Sequence, residues 1–300
     1  MIKRTLAFER MCHLSLRNDQ IVVRYEDKSE KTVAIEDTGI LILESMGITL
    51  TNALLSKLVE NQVAVITCDE RHMPVGLLMP LEGHSLQSAR FQAQFDATVP
   101  LKKQVWAQLV KSKIENQGRL LELLEKPSEP LFHWAVEVRS GDPDNLEARA
   151  AAFYWPLLFG NPNFRRDRNG QAPNPMLNYG YAILRAIVAR ALVASGLLPL
   201  LGVHHKNQYN AYCLADDVME PYRPFIDAHI VCLIASHGEQ EEITREWKIE
   251  LLKIPTLDVS ISNEKSPLLV AVSKTTASLA RIYEGAEKRL QLPAIKPGVI

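Results

Sequence analysis

The N-terminal part of the chain alternates short apolar runs with groups of turn-forming residues such as Asn18-Asp19 and Asp27-Lys28. Runs that are rich in β-branched side chains between such turns predict β-strands, and here they are HLSLRN, QIVVRYE, KTVAIE, GILILES, VAVITCDE and GLLMPLEG. TLTNALLSKLVE (residues 49–60) instead places apolar residues at helical spacing behind Thr49 or Thr51 as N-cap. The pattern predicts a small β-rich domain over residues 1–84 with one short helix.

After Pro80 the apolar positions change to a repeat of three or four residues, which is typical of amphipathic helices. The repeat covers residues 215–236 and the segments QVWAQLVKSKIENQGRLLELLE, LEARAAAFYWPLLF, YGYAILRAIVARALVASGLL, EEITREWKIELLK and VAVSKTTASLARIYEGAEKRLQ. The proline-containing stretches LLEKPSEPLFHW and NPNFRRDRNGQAPNPM predict loops. We therefore predict a partly helical linker at 85–98, an all-α domain at 99–292 and a frayed tail at 293–300.

Composition places the chain among globular proteins, because 47% of its 300 residues are hydrophobic and 23% are charged. Charged residues interrupt every apolar run at the start of the chain. The first residues therefore lack the continuous apolar stretch of a signal peptide. No run approaches the roughly 20 apolar residues that span a bilayer. We therefore expect a cytoplasmic location and no membrane partner. The four cysteines form no C-x-x-C pair, which argues against a zinc ribbon or a dithiol redox motif.

The formal net charge of −1 conceals a separation of charge along the chain. Two basic stretches contain Lys102, Lys103, Lys111, Lys113 and Arg119, and then Arg165, Arg166, Arg168, Arg185 and Arg190. An acidic run contains Glu239, Glu241, Glu242, Glu246 and Glu250. Such separation fits either a basic face that binds phosphates or ordinary solvated helix faces.

The densest group of chemically active side chains lies in HHKNQYNAYCLADDVMEPYRPFID, residues 204–227. On a helix, Asp217 and Glu220, or Asp216 and Glu220, would share one face, where like charges repel unless a cation, a basic side chain or water offsets the cost. Pro221 predicts a kink directly after Glu220. Arg223 offers an alternative explanation, in which the acids form only local salt bridges on a helix surface.

Histidine and a further glutamate extend this group. His204 and His205 face opposite ways in an extended segment, so one imidazole is expected to point towards the carboxylates. Imidazole with carboxylates and without thiolates favours Mn²⁺ or Mg²⁺ over zinc. Glu147 opens a helix after SGDPDN, with Asp144 or Asn145 as N-cap, and it either joins the site or only complements the helix dipole.

Three segments of the chain, taken jointly, carry a family resemblance. LEARAAAFYWPLLFG, NPMLNYGYAILRAIVARALVASGLLPLLGVHH and LADDVMEPYRPFID resemble the CRISPR-associated protein one family, the integrase of CRISPR spacer acquisition, particularly in type II systems. The resemblance covers essentially the whole chain. It implies that Glu147, His205 and Glu220 bind one divalent ion, Mg²⁺ or Mn²⁺, and that Asp217 is a further ligand or a support.

The resemblance also implies an architecture and a reaction. The fold class is expected to be α+β, with a small N-terminal β-sandwich-like domain that mediates homodimerisation and a larger all-α catalytic domain. Two dimers are expected to flank a dimer of CRISPR-associated protein two, and type II effector proteins are further candidate partners. The implied reaction inserts short duplex spacers into the CRISPR repeat by 3′-OH transesterification, with associated DNA endonuclease activity.

Basic residues are candidates for holding the backbone of double-stranded DNA, both the spacer precursor and the repeat. They are Arg165, Arg166, Arg168, Lys102, Lys103, Lys111 and Lys113. Tyr179 and Tyr181 fit either contacts to DNA ends or buried packing. Two alternatives to the integrase remain at this point: a stand-alone metal-dependent nuclease of branched DNA, and a non-catalytic assembly subunit.

Overall fold

The structure, a computed structural model, describes residues 4–70, 73–238 and 243–298. The chain divides into two compact units, Met1–Ser85 and Leu86–Ile300. Parts of several predicted features lie outside the described residues. They are residues 1–3 and 71–72 of the first domain, residues 299–300 of the tail, Glu239, Glu241 and Glu242 of the acidic run, and the first two residues of the predicted helix EEITREWKIELLK.

Within its described residues, the first unit contains two four-stranded sheets and one helix. Its elements are β1 (Arg4–Phe8), β2 (Cys12–Arg17), β3 (Gln20–Tyr25), β4 (Glu30–Ala34), β5 (Thr38–Leu43), β6 (Thr49–Leu50), α1 (Asn52–Glu60), β7 (Ala64–Cys68) and β8 (Pro74–Leu78). One sheet has the order β1–β5–β7–β8, in which β1, β5 and β7 are parallel and β8 is antiparallel. The other has the order β4–β3–β2–β6, in which only the β2–β6 pair is parallel.

Apolar side chains from both sheets and from the helix form the core of this unit. Alternate positions of a strand point to one face, so each sheet contributes every second residue to a buried cluster. The cluster includes Leu14, Ile21 and Val23 from one sheet, Leu41 and Val65 from the other, and Leu54 and Leu58 from α1.

Thr51 caps α1, because its side-chain oxygen accepts the N–H of Leu54 at 3.3 Å. Strand β1 was not predicted from the sequence.

The second unit is mainly helical. Its helices are α2 (Gln87–Asp96), α3 (Val99–Leu123), α4 (Glu129–Glu137), α5 (Leu146–Phe159), α6 (Asn174–Ala194), α7 (Cys213–Met219), α8 (Arg223–His237), α9 (Arg245–Leu251) and α10 (Leu268–Tyr283). The strand-rich first part and the helical second part confirm the predicted α+β class. The second unit is not purely helical, however, since β9 (Asp258–Ile261), β10 (Glu264–Pro267) and β11 (Pro293–Ala294) form a small sheet in the order β10–β9–β11.

Helix α6 lies at the centre of this unit and packs on α7, α8 and α10. Among the described helices, α6 is the one that is long and apolar enough to cross a membrane. However, 72% of its apolar stretch is buried inside the fold. Tyr179 and Tyr181 are both buried on it. That burial favours packing over contact with DNA ends for the two tyrosines.

The predicted linker is partly helical, as expected, but it belongs to the second unit, and the predicted tail is paired in a sheet. Residues 87–96 form α2 within the second unit, where the buried Gln94 accepts the N–H of Leu198 at 2.9 Å and donates to the carbonyls of Leu198 and Leu201. Residues 293–294 pair with β9 as β11, and the N–H of Ile295 donates to Asn116 Oδ1 at 2.9 Å. Both segments are held by partners that are distant in the sequence, which local patterns do not show.

One predicted loop also contains a helix. Helix α4 begins at Glu129 inside LLEKPSEPLFHW, with Pro130 in its first turn. Proline is well tolerated there because the backbone N–H groups of a first turn have no intrahelical acceptor. The prolines of this stretch therefore mark where a helix starts.

Candidate functional site

Glu147 and Glu220 share a single lysine, Lys113. The ammonium Nζ of Lys113 forms a short ion pair with Glu147 Oε1 and lies 2.6 Å from Glu220 Oε2. Three elements supply these groups: Lys113 comes from the middle of α3, Glu147 from the first turn of α5, and Glu220 from the residue that follows α7. Burial lowers the pKa of Lys113, but the charges of Glu220 and Glu147 outweigh it and raise that pKa above its ordinary value.

Glu220 is a buried carboxylate surrounded by cations. Its Oε1 accepts the Arg223 Nε–H at 2.9 Å. Its Oε2 is fully buried and accepts no hydrogen bond of ordinary geometry. Its contact with Lys113 is therefore an ion pair at short distance without hydrogen-bond geometry. Burial raises the pKa of Glu220, but Arg223 and Lys113 outweigh it and hold the pKa at about 2.

A break in the helix positions Glu220. Helix α7 ends at Met219, a single 3₁₀ turn covers Glu220–Tyr222, and α8 begins at Arg223. This is the kink that Pro221 predicted. The Pro221 carbonyl accepts the side-chain amide of Asn116 on α3 at 2.9 Å. The break is therefore attached to the helix that carries Lys113.

Asp217 holds the loop that presents His205. Its Oδ1 accepts the ring Nδ1–H of His205 at 2.5 Å, because a carboxylate can only accept. The same carboxylate accepts the backbone N–H groups of Val203, His204 and His205 at 2.7, 3.0 and 3.2 Å. The hydrogen bond to Asp217 raises the pKa of the His205 imidazole. The other ring nitrogen, Nε2, takes no part in these bonds.

The acids of ADDVME face different partners. Asp216 accepts from Arg185 Nε at 2.6 Å and from Asn210 Nδ2 at 2.7 Å, whereas Asp217 faces the histidine loop. Only Glu220 of the three meets Lys113. Repulsion between the acids is thus removed by separate donors, and His205 is near enough to Glu220 for its charge to lower the pKa of that carboxyl.

Trp106 was not recognised from the sequence as part of the site. It is buried, its ring stacks on His204 with centroids 4.1 Å apart, and it meets the His205 ring edge-on at 5.6 Å. Trp106 and Lys113 are seven residues apart on α3, and a separation of two turns places both on the same helix face. That spacing is the signal that could have identified them together.

Asn145 occupies the N-cap position of α5, as predicted, but the side-chain capping bonds come from Asp142. The carboxylate of Asp142 accepts the N–H of Leu146 at 2.9 Å and that of Glu147 at 3.0 Å. Asp144 instead pairs with Arg139 at 2.7 Å, and Asn145 makes no side-chain capping bond. This cap fixes the backbone of Glu147, and the Glu147 side chain contacts Lys113.

A cavity of about 590 Å³ opens beside the acidic pair. Its charged lining residues are Lys113, Glu147, Arg165, Arg166, Glu220, Arg223 and Asp227. Arg166 is fixed in place by hydrogen bonds to Asn174 Oδ1 at 3.0 Å and Asn178 Oδ1 at 2.6 Å. The guanidinium groups of Arg166 and Arg223 lie over the Tyr181 ring. The cavity therefore has several cations with fixed positions.

Asp227 lies at the wall of this cavity and is almost fully buried. It accepts the hydroxyl of Tyr154 at 2.9 Å and that of Tyr181 in a shorter contact. Burial raises the pKa of Asp227 to about 6, despite the opposing effect of the two tyrosine hydrogen bonds.

The other predicted DNA-binding residues have different surroundings. Arg165 and Arg168 are exposed, and Arg165 lines the cavity. Lys103 and Lys111 are exposed on α3 and Lys102 is half-buried, and Lys111 lies 3.9 Å from Glu115. Lys113 is buried, so it does not belong to an exposed basic face with the other three lysines.

The side chains fit a cation, although they do not form a ready-made metal cage. Two carboxylates already share one positive charge, and a third donor, His205 Nε2, belongs to a loop close to Glu220. Within residues 4–70, 73–238 and 243–298, no three His, Cys, Asp or Glu side chains lie close enough together to hold a metal ion. The ammonium of Lys113 occupies the position where the carboxylates meet.

Fold and site together define an α+β protein whose helical unit carries an acidic pair beside a cation-lined cavity. The sequence matches the family model described as CRISPR associated protein Cas1 over residues 6–246. It is 37% identical to the CRISPR-associated endonuclease Cas1 of Neisseria meningitidis serogroup C (strain 8013), over 99% of this chain and 98% of that protein. The chain therefore belongs to the CRISPR-associated Cas1 family, which confirms the resemblance seen in the sequence.

Two solved structures share the fold. A casposase bound to integration product matches with a TM-score of 0.79 at 18% identity, over 97% of this chain and 92% of that one. A chain of a Cas6-RT-Cas1--Cas2 complex matches with a TM-score of 0.74 at 18% identity, over 96% of this chain and 35% of the longer one. At this level of identity, the two likenesses show a shared fold.

Proposed function

We propose that this protein is a metal-dependent DNA integrase of CRISPR adaptation. It would join the 3′-hydroxyl of a short DNA duplex to a phosphodiester of the CRISPR repeat and would have an associated DNA endonuclease activity. The observation that carries the proposal is the convergence of Glu147 and Glu220 on one cation in a member of the Cas1 family. It is supported by a curated relative named as an endonuclease and by a structural neighbour described as bound to integration product.

Glu147, Glu220 and His205 would hold Mg²⁺ or Mn²⁺, the hard ions that carboxylate and imidazole donors suit. When bound, such an ion lowers the pKa of an attacking hydroxyl and neutralises charge on the phosphate. Asp217 has its acceptor positions occupied by the 203–205 loop, which favours a supporting role for it over that of a fourth ligand. Such a support fixes the tautomer and the orientation of a ligating histidine.

The other side chains would bind and orient the DNA. Arg165, Arg166 and Arg223 line the cavity beside the carboxylates, where guanidinium groups can pair with phosphate oxygens. Arg166 is already fixed by Asn174 and Asn178, so little conformational freedom is lost when it meets a phosphate. Because Nδ1 of His205 is bound to Asp217, only Nε2 is available to bind a ligand or to carry a proton.

The proposal includes an assembly and a location. The first unit would mediate homodimerisation, and two such dimers would flank a dimer of CRISPR-associated protein two in the cytoplasm, with type II effectors as further partners. A structural neighbour comes from a complex that contains Cas1 and Cas2, which supports this partner.

The direct test measures joining of a 3′-OH duplex to a plasmid that carries the repeat. The Glu220→Ala variant should lose joining to background and keep DNA binding, and wild type should need Mn²⁺ or Mg²⁺ and lose activity in EDTA. Glu122→Ala is the matched control, because Glu122 is exposed and pairs with Arg119 at 3.0 Å on α3. Full joining by Glu220→Ala would indicate a non-catalytic subunit. Full competence on branched DNA with no recovery of the small partner in a pull-down would indicate a stand-alone nuclease.

A further inference from the structure

Lys113 is placed where a metal ion would be expected. Its Nζ contacts one oxygen of Glu147 and lies 2.6 Å from the buried Oε2 of Glu220. Glu147 lies in the first turn of α5, and Glu220 lies in the 3₁₀ turn that follows α7. The Lys113 ammonium therefore contacts both of the carboxylates that the proposed function assigns to the metal ion.

A lysine and a divalent ion cannot both occupy this position. Two positive centres within a few ångströms of each other repel strongly where burial excludes water. The Lys113 side chain is 9% exposed and that of Glu220 is 7% exposed, so little solvent screens them. A metal held by both carboxylates requires the ammonium to leave the space between them.

The surroundings give the ammonium somewhere to go. Lys113 lines the 590 Å³ cavity together with Glu147 and Glu220, and its four-carbon stem is flexible. In that cavity it would join Arg165, Arg166 and Arg223. Once Glu147 and Glu220 hold a metal, Asp227 is the remaining acid among the charged lining residues, so the four cations would outnumber it, and a DNA phosphate would add negative charge.

We propose that Lys113 is a resident counter-ion of the acidic pair, which holds Glu147 and Glu220 together in the metal-free protein and is displaced into the cavity by the metal, where it contacts a DNA phosphate. Lys113 keeps its charge throughout, and only its position changes. This inference rests on the proposed metal-dependent function. It differs from a purely structural salt bridge, in which Lys113 would stay in place when metal binds.

The first experiment measures Mn²⁺ binding to the full-length protein by electron paramagnetic resonance titration, without DNA. Lys113→Met removes the competing charge and nearly preserves the side-chain volume, so it should bind Mn²⁺ at least about tenfold more tightly than wild type. Lys113→Arg keeps the charge and should show no such gain. Lys111→Met is the matched control on the same helix, where Lys111 is exposed and lies 3.9 Å from Glu115, and its Mn²⁺ affinity should equal that of wild type.

The second experiment needs no variant. Amine-reactive ester labelling of wild type, read by peptide mass spectrometry, should modify Lys113 slowly in EDTA and several-fold faster with Mn²⁺, because displacement exposes the amine. Lys111 serves as the internal reference and should react equally in both conditions.

The outcomes separate the two proposals. Equal or weaker Mn²⁺ binding by a folded Lys113→Met would overturn the counter-ion role while leaving the metal-dependent function intact. If Lys113→Met does not fold, unchanged labelling of Lys113 on addition of Mn²⁺ would overturn it. Absence of Mn²⁺ binding by wild type and by Lys113→Met alike would overturn the proposed function together with this inference.

Discussion

Asp217 holds His205 at two points, through the ring Nδ1 at 2.5 Å and through the backbone N–H at 3.2 Å. The carboxylate is fully buried and also accepts the N–H groups of Val203 and His204. It therefore fixes both the course of the loop and the orientation of the imidazole. Sequence reasoning left Asp217 open as a ligand or a support, and this geometry favours the support.

Asp217→Asn is expected to weaken both the fold and the proposed metal site. An amide has one acceptor oxygen, and its NH₂ group would face N–H donors in a dry interior. We expect the free energy of unfolding to fall by about 2–4 kcal/mol and Mn²⁺ affinity to fall about 10–100-fold. Tryptophan fluorescence during urea unfolding measures the first effect, because all four tryptophans lie in the second unit.

Asp216→Asn is the matched control, since its partners are Arg185 and Asn210. It should leave Mn²⁺ affinity close to that of wild type. A loss of binding in Asp217→Asn as complete as that in Glu220→Ala would make Asp217 a ligand. Unchanged affinity in Asp217→Asn would exclude both roles.

Gly202→Ala is expected to displace the histidine loop. A Cβ at this position would lie 2.4 Å from the backbone oxygen of His205 and 2.9 Å from Asp217 Oδ2. Since the first atom is backbone, the loop itself has to shift, and strand joining should fall by about tenfold or more because small misplacements of reacting groups are costly. Joining assays and urea unfolding together measure the effect.

Gly160→Ala provides the comparison for this substitution. Gly160 has φ of +63° and open space around its Cβ position. Alanine there should cost about 1 kcal/mol of stability through backbone strain and leave joining unchanged. If Gly202→Ala joins DNA as well as wild type does, the loop can accommodate the added Cβ without displacing His205, and this expectation is wrong.

The acid stability of the metal-free second unit should depend on Glu220. Its folded-state pKa of about 2 lies below the ordinary 4.5. A lowered pKa contributes stability that is present above the unfolded-state pKa and is lost as pH falls through the folded-state pKa. This group should therefore contribute on the order of 3 kcal/mol at neutral pH, and that stability should disappear progressively below about pH 4.5.

Urea unfolding in EDTA, followed by tryptophan fluorescence from about pH 5 to about pH 3, tests this expectation. Glu220→Gln should flatten the decline, whereas Glu122→Gln, at an exposed pair with Arg119, should keep the wild-type decline. Parallel profiles for wild type and Glu220→Gln would mean that the cations around Glu220 do not stabilise its ionised form.

The arginines of the proline-rich loop should govern DNA affinity without affecting the metal. Arg165 and Arg168 are exposed, and replacing both by glutamine should weaken DNA binding and reduce the slope of log K against log salt by about 1 for each phosphate that is no longer bound. Fluorescence anisotropy over a range of NaCl concentrations measures this. Lys265→Gln, where Lys265 pairs with Asp258 at 2.8 Å, is the control, and an identical slope in all three proteins would exclude the loop as a phosphate-binding segment.

Local patterns predicted the elements whose signals are local. The β-branched run QIVVRY between two turns predicted β3, and Thr51 with the following apolar repeat predicted α1. Strands β1 and β11 were missed because their pairing partners are remote: β1 pairs with β5, and β11 with β9. The β9–β10 hairpin was also missed, although only Ser262 and Asn263 separate its two strands, which have four residues each. Short strands of this kind are defined by their neighbours in space and carry little signal of their own.

The candidate ligands were assigned for a different reason. Glu147, His205 and Glu220 followed from the family resemblance, and the kink at Pro221 followed from proline stereochemistry. The position of Lys113 was not foreseen, because a charge pattern does not distinguish a solvated lysine from one that neutralises buried carboxylates. That distinction depends on helices α3 and α5 meeting, which only the folded structure shows.

The attachment of the C-terminal segment to α3 has a practical consequence. Asn116 donates to the carbonyl of Pro293 at 3.1 Å and accepts from Ile295, one turn beyond Lys113. A protein shortened at Leu292 would deprive this amide of two partners inside the unit and would remove a neighbouring strand from β9. Recombinant forms intended for crystallisation or labelling should therefore extend past Ile295, since removing the terminus would loosen α3, the helix that carries Lys113, the cation between Glu147 and Glu220.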